Sequence, residues 1–247
     1  MGSKKYKGKP CVYCVDGISV DGDHIISRKF FPVEFRGNLP KAPSCKQCNE
    51  AKSVLEHYLT AVLPFSSDHI TALKSQTEKV SRRLNKNLSL KNELRSGISP
   101  AWMPVKNGTI EKTIAIPFQS EKLIEYCEYV VRGLVWYEWN VIFPKHYVIE
   151  IMSLTQHGYG FFRDYIFKLS PDLKRDRAYA EGGFSYTCTR NSTDGAFSAW
   201  HLKFYENIHL SDQTDGKAVE FAEICALTGP PNIRKLIERF KGNADST

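Results

Sequence analysis

Apolar positions change their spacing several times along the chain. Residues 11–53 are rich in Gly, Pro, Cys and Asp and show almost no apolar periodicity. Such a segment cannot build a core of its own, so something else must hold it. From Asn49 the pattern turns helical: Val54, Leu55, Tyr58, Leu59, Val62 and Leu63 recur at three- and four-residue spacing, and Pro64 predicts the end. Residues 68–95 read as a second helix with a thin apolar stripe and a basic face (Lys74, Lys79, Arg82, Arg83, Lys86). Residues 96–108, with Gly97, Pro100, Pro104 and Gly108, read as a linker.

Beyond the linker the pattern mixes strands and helices. Strands are predicted over 112–118, 147–152, 184–189, 197–205 and 219–227, and helices over 121–140 and 232–240. In 197–205 the alternation puts Trp200, Leu202 and Phe204 on one side, and His201, Lys203 and Tyr205 on the other. Gly182–Tyr186 and the strand around Trp200 are expected in the core. The fold class is α+β: a small N-terminal module at 1–65, a basic helix and linker at 66–108, and a C-terminal α+β domain at 109–247 with a mainly antiparallel sheet.

Charge adds an asymmetry. The chain of 247 residues carries a net +7. Residues 1–52 hold 10 basic and 5 acidic side chains, residues 53–95 hold 7 and 4, and the remainder is nearly balanced. A basic first part joined to a neutral second part points to a polyanion partner, DNA first and RNA as the alternative. Residues 1–10 read as a flexible basic tail with no apolar segment behind it, unlike a secretory signal. No apolar run reaches the roughly 18–20 residues of a membrane span. No membrane partner is expected. Seven cysteines, an odd number, are too few for a disulfide scaffold of this length, so a reducing cytoplasm is expected. Cys127, Cys188 and Cys225 sit in apolar runs and are expected to be buried and inert.

The other four cysteines carry chemistry. Cys11-Val-Tyr-Cys14 and Cys45-Lys-Gln-Cys48 are two C-x-x-C pairs with 30 residues between them. Two thiolates on each tight knuckle complete a tetrahedral shell that suits structural Zn2+, and the metal then replaces the missing core.

Between and just after the pairs lie Asp23-His24, Asn38-Leu39-Pro40, Asn49 and Lys52. This order, C-x-x-C, Asp-His, Asn, C-x-x-C-Asn, Lys, resembles the HNH (ββα-metal) endonucleases over residues 8–60. The resemblance implies that His24 is the general base and that Asp23 and Asn49 bind a catalytic Mg2+ or Mn2+. It also implies that Asn38, on the second strand of a hairpin, orients the His24 ring, and that Lys52 contacts phosphate. Family patterns often have His where Asn49 stands, which puts the strength and preference of metal binding in question. Each type suits its role: imidazole titrates near neutrality, and carboxylate and amide oxygens are hard ligands. Arg28, Lys29 and Arg36, in the loop between the hairpin strands, join the basic helix as expected phosphate contacts. His57 reads as structural or surface.

The function expected is therefore metal-dependent hydrolysis of phosphodiester bonds in DNA, by analogy in phage defence, restriction or a mobile element. A homodimer is expected because double-strand cleavage by one site per chain calls for two copies. The alternative is a non-catalytic zinc ribbon that binds nucleic acid. A third reading makes the module a scaffold and gives the work to residues 109–247, which match no motif.

Overall fold

A computed structural model of the chain describes residues 4–104, 109–210, 220–235 and 237. The first elements are a two-stranded antiparallel hairpin and a helix. β1 (Asp21–His24) pairs with β2 (Lys41–Ser44), Asp23 opposite Ala42 and His24 opposite Lys41. Their long connection is tightened by 3-10 turns at Arg28–Phe30 and Val33–Phe35. Asn38 lies in this connection, ahead of β2 rather than on it. It is exposed, in the left-handed region at φ 57°, which Asn tolerates better than most residues.

α1 (Lys46–Val62) follows, with Cys45 as its N-cap. Leu55, Tyr58, Leu59 and Val62 face the core as expected, but Val54 falls off the stripe and is 66% exposed. The basic helix expected over 68–95 is broken. α2 (Ile70–Ser75) runs through a π-helical turn (Gln76–Val80) into α3 (Ser81–Lys86). Asn87 then leaves helical geometry and caps α4 (Leu88–Ser96), accepting the Leu90 N–H at 3.1 Å. The stretch expected as linker is partly strand: β3 (Ser99–Pro104) pairs with β4 (Ile110–Ala115), shorter at its end than the 112–118 expected. The rest of that linker, 105–108, lies outside the described residues.

α5 (Ser120–Trp139) is the central element. After it come β5 (Val148–Leu154), α6 (Gln156–Tyr165), β6 (Arg175–Tyr179), β7 (Phe184–Arg190), β8 (Ser198–Phe204), β9 (Ile208–Leu210) and β10 (Glu220–Gly229). The strands form an antiparallel sheet in the order β5-β10-β8-β7-β6, with β9 extending β10. The helix expected over 232–240 is seen only in part, since most of 236–247 lies outside the described residues.

Two apolar clusters use the two faces of this sheet. On one, Phe184, Tyr186, Trp200, Leu202 and Phe204 pack with Tyr126, Val130 and Leu134 of α5 and with Ile25, Phe30 and Phe31 of the hairpin connection. On the other, Ala199, Cys225 and Leu227 pack with Phe162 of α6, Ile166 and Ile233. Cys127, Cys188 and Cys225 are all buried, as their apolar neighbours suggested.

α5 is what holds the core-poor N-terminal segment. Gly133 brings it so close to the connection that a Cβ would lie 2.8 Å from Ile25 Cγ1. The Ser27 N–H donates to the Tyr126 hydroxyl at 3.0 Å, and Tyr13 meets Tyr129 edge-on with ring centroids 5.2 Å apart. The tail expected to be flexible is pinned from Tyr6 onward. Tyr6 packs over Gly22 and lies 5.9 Å from Trp136, and the Gly8 N–H donates to Ser19 O at 2.9 Å. Among the described residues no helix is long and apolar enough to cross a membrane.

Candidate functional site

The four knuckle cysteines converge. The sulfurs of Cys11, Cys14, Cys45 and Cys48 all lie within 4.8 Å of one another. Cys14 Sγ and Cys45 Sγ are 3.8 Å apart. A tetrahedral Zn2+ with Zn–S bonds of about 2.3 Å sets its sulfurs about 3.8 Å apart, so the spacing fits zinc and is far too long for a disulfide. The first knuckle is closed by backbone bonds, the Val15 N–H to Cys11 O (3.0 Å) and the Cys11 N–H to Gly17 O (2.7 Å). Two amides are spent on sulfur: the Gly17 N–H on Cys14 Sγ (3.3 Å) and the Cys48 N–H on Cys45 Sγ (3.4 Å). Gly17 is required by contact, since a Cβ there would lie 2.8 Å from Cys45 Cβ and 2.9 Å from Cys45 Sγ. Burial and the neighbouring sulfurs push the Cys48 thiol far above its ordinary range, so four thiolates coexist here only around a cation.

The cluster ties the start of α1 to the loop before β1, and the hairpin's Asp23 and His24 follow. Lys52 sets their position. Its side chain is fully buried, and its ammonium donates to Asp23 Oδ2 (2.8 Å), His24 O (2.7 Å) and Glu56 Oε1 (2.7 Å). All three of its N–H groups are thereby used. The expected phosphate contact is corrected here: Lys52 has neither surface nor a donor left for one. It joins β1 to α1.

Asp23 also accepts the Tyr13 hydroxyl at 3.0 Å. Both of these donors meet Oδ2, and among the described residues no donor meets Oδ1. Burial and then Asp23 push the Tyr13 phenol well up, so it stays a protonated donor. One ammonium between two carboxylates leaves this buried cluster a formal −1.

His24 is half-buried. Burial first, then Lys41 and Arg28, hold its imidazole down at about 4, so it is neutral at neutral pH. Asn49 is exposed in the first turn of α1. Lys52, which holds Asp23, stands three residues on, about one helical turn away. Among the described residues Asn38 makes no side-chain hydrogen bond, to His24 or to any other group.

The basic residues divide into two groups. Arg28, Lys29, Arg82 and Lys86 are exposed, and Lys29 Nζ lies 3.0 Å from His57 Nε2. The others serve the fold: Arg83 donates to Thr60 O and Lys29 O (both 2.6 Å), Arg36 and Lys79 to Phe31 O (3.1 and 2.7 Å), and Lys74 pairs with Glu34. These four are removed from the expected phosphate-tracking surface.

Glu56 and Tyr13 were not anticipated. The signal for Glu56 was its i,i+4 spacing from Lys52 on the buried stripe.

Compared with known proteins, the chain matches no protein-family model, no curated protein and no solved structure.

Proposed function

We propose that the hairpin and α1 form a metal-dependent phosphodiester hydrolase of the HNH (ββα-metal) kind acting on DNA. The observation that carries this reading is the sequence β1, β2, α1, stapled by four cysteines, in which one buried ammonium binds both the Asp23 carboxylate and the His24 carbonyl. The hairpin is thereby fixed against the helix whose first turn bears Asn49.

Asp23 Oδ1 and the Asn49 amide are the oxygen ligands for Mg2+ or Mn2+, and the formal −1 of the buried cluster favours a cation beside it. Such a cation supplies charge stabilisation to the phosphate and to the leaving oxygen. Neutral His24 accepts the proton of the attacking water. Arg28, Lys29 and Arg82 hold the backbone of the substrate, giving salt-sensitive binding with little sequence preference. Asn38 has no part in this scheme.

A second reading, a zinc-bound nucleic-acid-binding module without catalysis, draws on one observation: Asp23 Oδ2 is already neutralised by Lys52. Incubation of supercoiled plasmid with the protein and Mg2+ or Mn2+ separates the two. Nicking that disappears in His24→Ala, with zinc content and thermal unfolding intact, is expected. Salt-sensitive binding with no cutting under either cation refutes the hydrolase and leaves the binding module.

A further inference from the structure

The face of the large sheet that α6 covers is left open over β6, β7 and the end of β8. There the strands form an open hollow of about 340 Å³ whose lining includes Asp176, Ala178, Ser185, Thr187, His201 and Lys203. The volume lies in the range of small-ligand sites, roughly 300–1,000 Å³. The lining follows from register. Asp176 pairs with Thr187 and Thr187 with His201, and the next row places Ala178 beside Ser185 and Ser185 beside Lys203.

The polar groups at the two ends differ in kind. At one end Lys203 is half-buried; among the described residues no carboxylate lies within ion-pair distance of it, though its charge reaches Glu223 on the next strand, and the Ser185 hydroxyl beside it makes no hydrogen bond among the described residues. At the other end Asp176 accepts the Thr187 hydroxyl at 2.5 Å and lies 3.5 Å from Lys174. The wall between them is rigid. His201 is buried, bonded through Nε2 to Glu223 Oε2 at 2.6 Å, and packed at a tilt of 34° against Tyr159 of α6 with centroids 4.1 Å apart. An ammonium held in no salt bridge among the described residues, beside a hydroxyl in the same concavity, suits an anion. A carboxylate two strands and one row away, at about 12 Å by strand spacing and rise, suits hydroxyl donors on the same ligand.

We propose that this cavity binds a small phosphorylated sugar, free or as a nucleoside monophosphate. Its phosphate sits on Lys203 and Ser185, and its sugar hydroxyls donate to Asp176. The site is separate from the hairpin, and its test does not depend on nuclease activity. Isothermal titration of the full chain with ribose 5-phosphate, adenosine 5′-monophosphate and inorganic phosphate reads it directly. Saturable binding of at least one of the two esters is expected, at one per chain. Lys203→Met should weaken it at least tenfold and Asp176→Asn should weaken it measurably, with the thermal unfolding midpoint unchanged in both. Inorganic phosphate should bind more weakly, lose binding in Lys203→Met and ignore Asp176→Asn. The relative affinity of the two esters decides whether a base adds contacts. The proposal is overturned if neither ester saturates the protein, if Lys203→Met binds as wild type does, or if a zwitterionic amino acid such as glutamate occupies the site in their place.

Discussion

Replacing Lys52 by Met tests whether the buried ammonium is the joint between hairpin and helix. Met has a similar length and fills much of the same space, so little of the effect comes from a cavity. What changes is charge. Asp23 and Glu56, whose side chains are only 13% and 11% exposed, lose the cation between them, and the His24 carbonyl loses its donor. Removing one partner of a buried ion pair costs about 3–5 kcal/mol. That is a large share of a total stability of about 5–15 kcal/mol. For a chain of this length each kcal/mol moves the unfolding midpoint by about 2–4 °C, so a fall of about 6–20 °C is expected. Thermal unfolding by circular dichroism measures it, with the exposed Lys86→Met as the control that should shift little. Neutralising the stranded carboxylates in Lys52→Met/Asp23→Asn/Glu56→Gln should restore a good part of the loss, because the penalty lies in unpaired buried charge. A midpoint for Lys52→Met within about 2 °C of wild type would refute the reasoning, since an exposed pair contributes no more than about 1 kcal/mol.

Three further substitutions probe the rest of the molecule. Cys45→Ser should lower bound zinc from one per chain toward none in metal analysis of the purified protein, and unchanged zinc would remove Cys45 from the ligand set. Gly17→Ala drives a methyl into Cys45 and should weaken zinc retention against a chelator; equal retention would show that the knuckle opens freely. Gly133→Ala sets two effects against each other. Helix propensity gains about 1 kcal/mol, and overpacking against the buried Ile25 costs about 1–3 kcal/mol. A net loss is expected on denaturant unfolding, and a more stable protein would mean that α5 and the connection can move apart.

The acid limb of stability should report the His201–Glu223 pair. The hydrogen bond from His201 holds the Glu223 carboxyl below its ordinary 4.5 against its partial burial. A carboxyl depressed in the folded state stabilises above its unfolded value, and that contribution is lost as pH falls through the folded value. Glu223→Gln should therefore be less stable than wild type at pH 6, with the gap closing below about pH 4.5 as the unfolded carboxyl takes up its proton. A gap that persists unchanged down to pH 3 would assign the loss to packing rather than charge.

What could be read from the chain, and what could not, divides by whether an interaction is local. The C-x-x-C spacings carry their geometry within four residues, and the alternation through Trp200, Leu202 and Phe204 repeats within one strand, so both were legible. Lys52 was misread because only its distance from Asn49 was weighed. Its other spacings hold the answer: Lys52, Leu55, Leu59 and Val62 lie on one face of α1, and a lysine on that stripe with a glutamate at i+4 marks a buried pair. Val54, one position off that face, was counted with the core for the converse reason. α6 escaped because Gly158 and Gly160 dilute its pattern, and β6 because its charged residues, Arg175, Asp176 and Arg177, give no apolar alternation. The basic helix looked like a phosphate surface because carbonyl acceptors leave no trace in a sequence. Thr60 O, Lys29 O and Phe31 O are backbone atoms, and nothing short of the fold shows that Arg83, Arg36 and Lys79 are spent on them. Positive charge on this chain is thus partly internal wiring. What remains exposed, Arg28, Lys29, Arg82 and Lys86 together with Lys4, Lys7, Lys9 and Lys46 earlier in the chain, still leaves enough surface charge for any nucleic-acid binding to fall as salt rises.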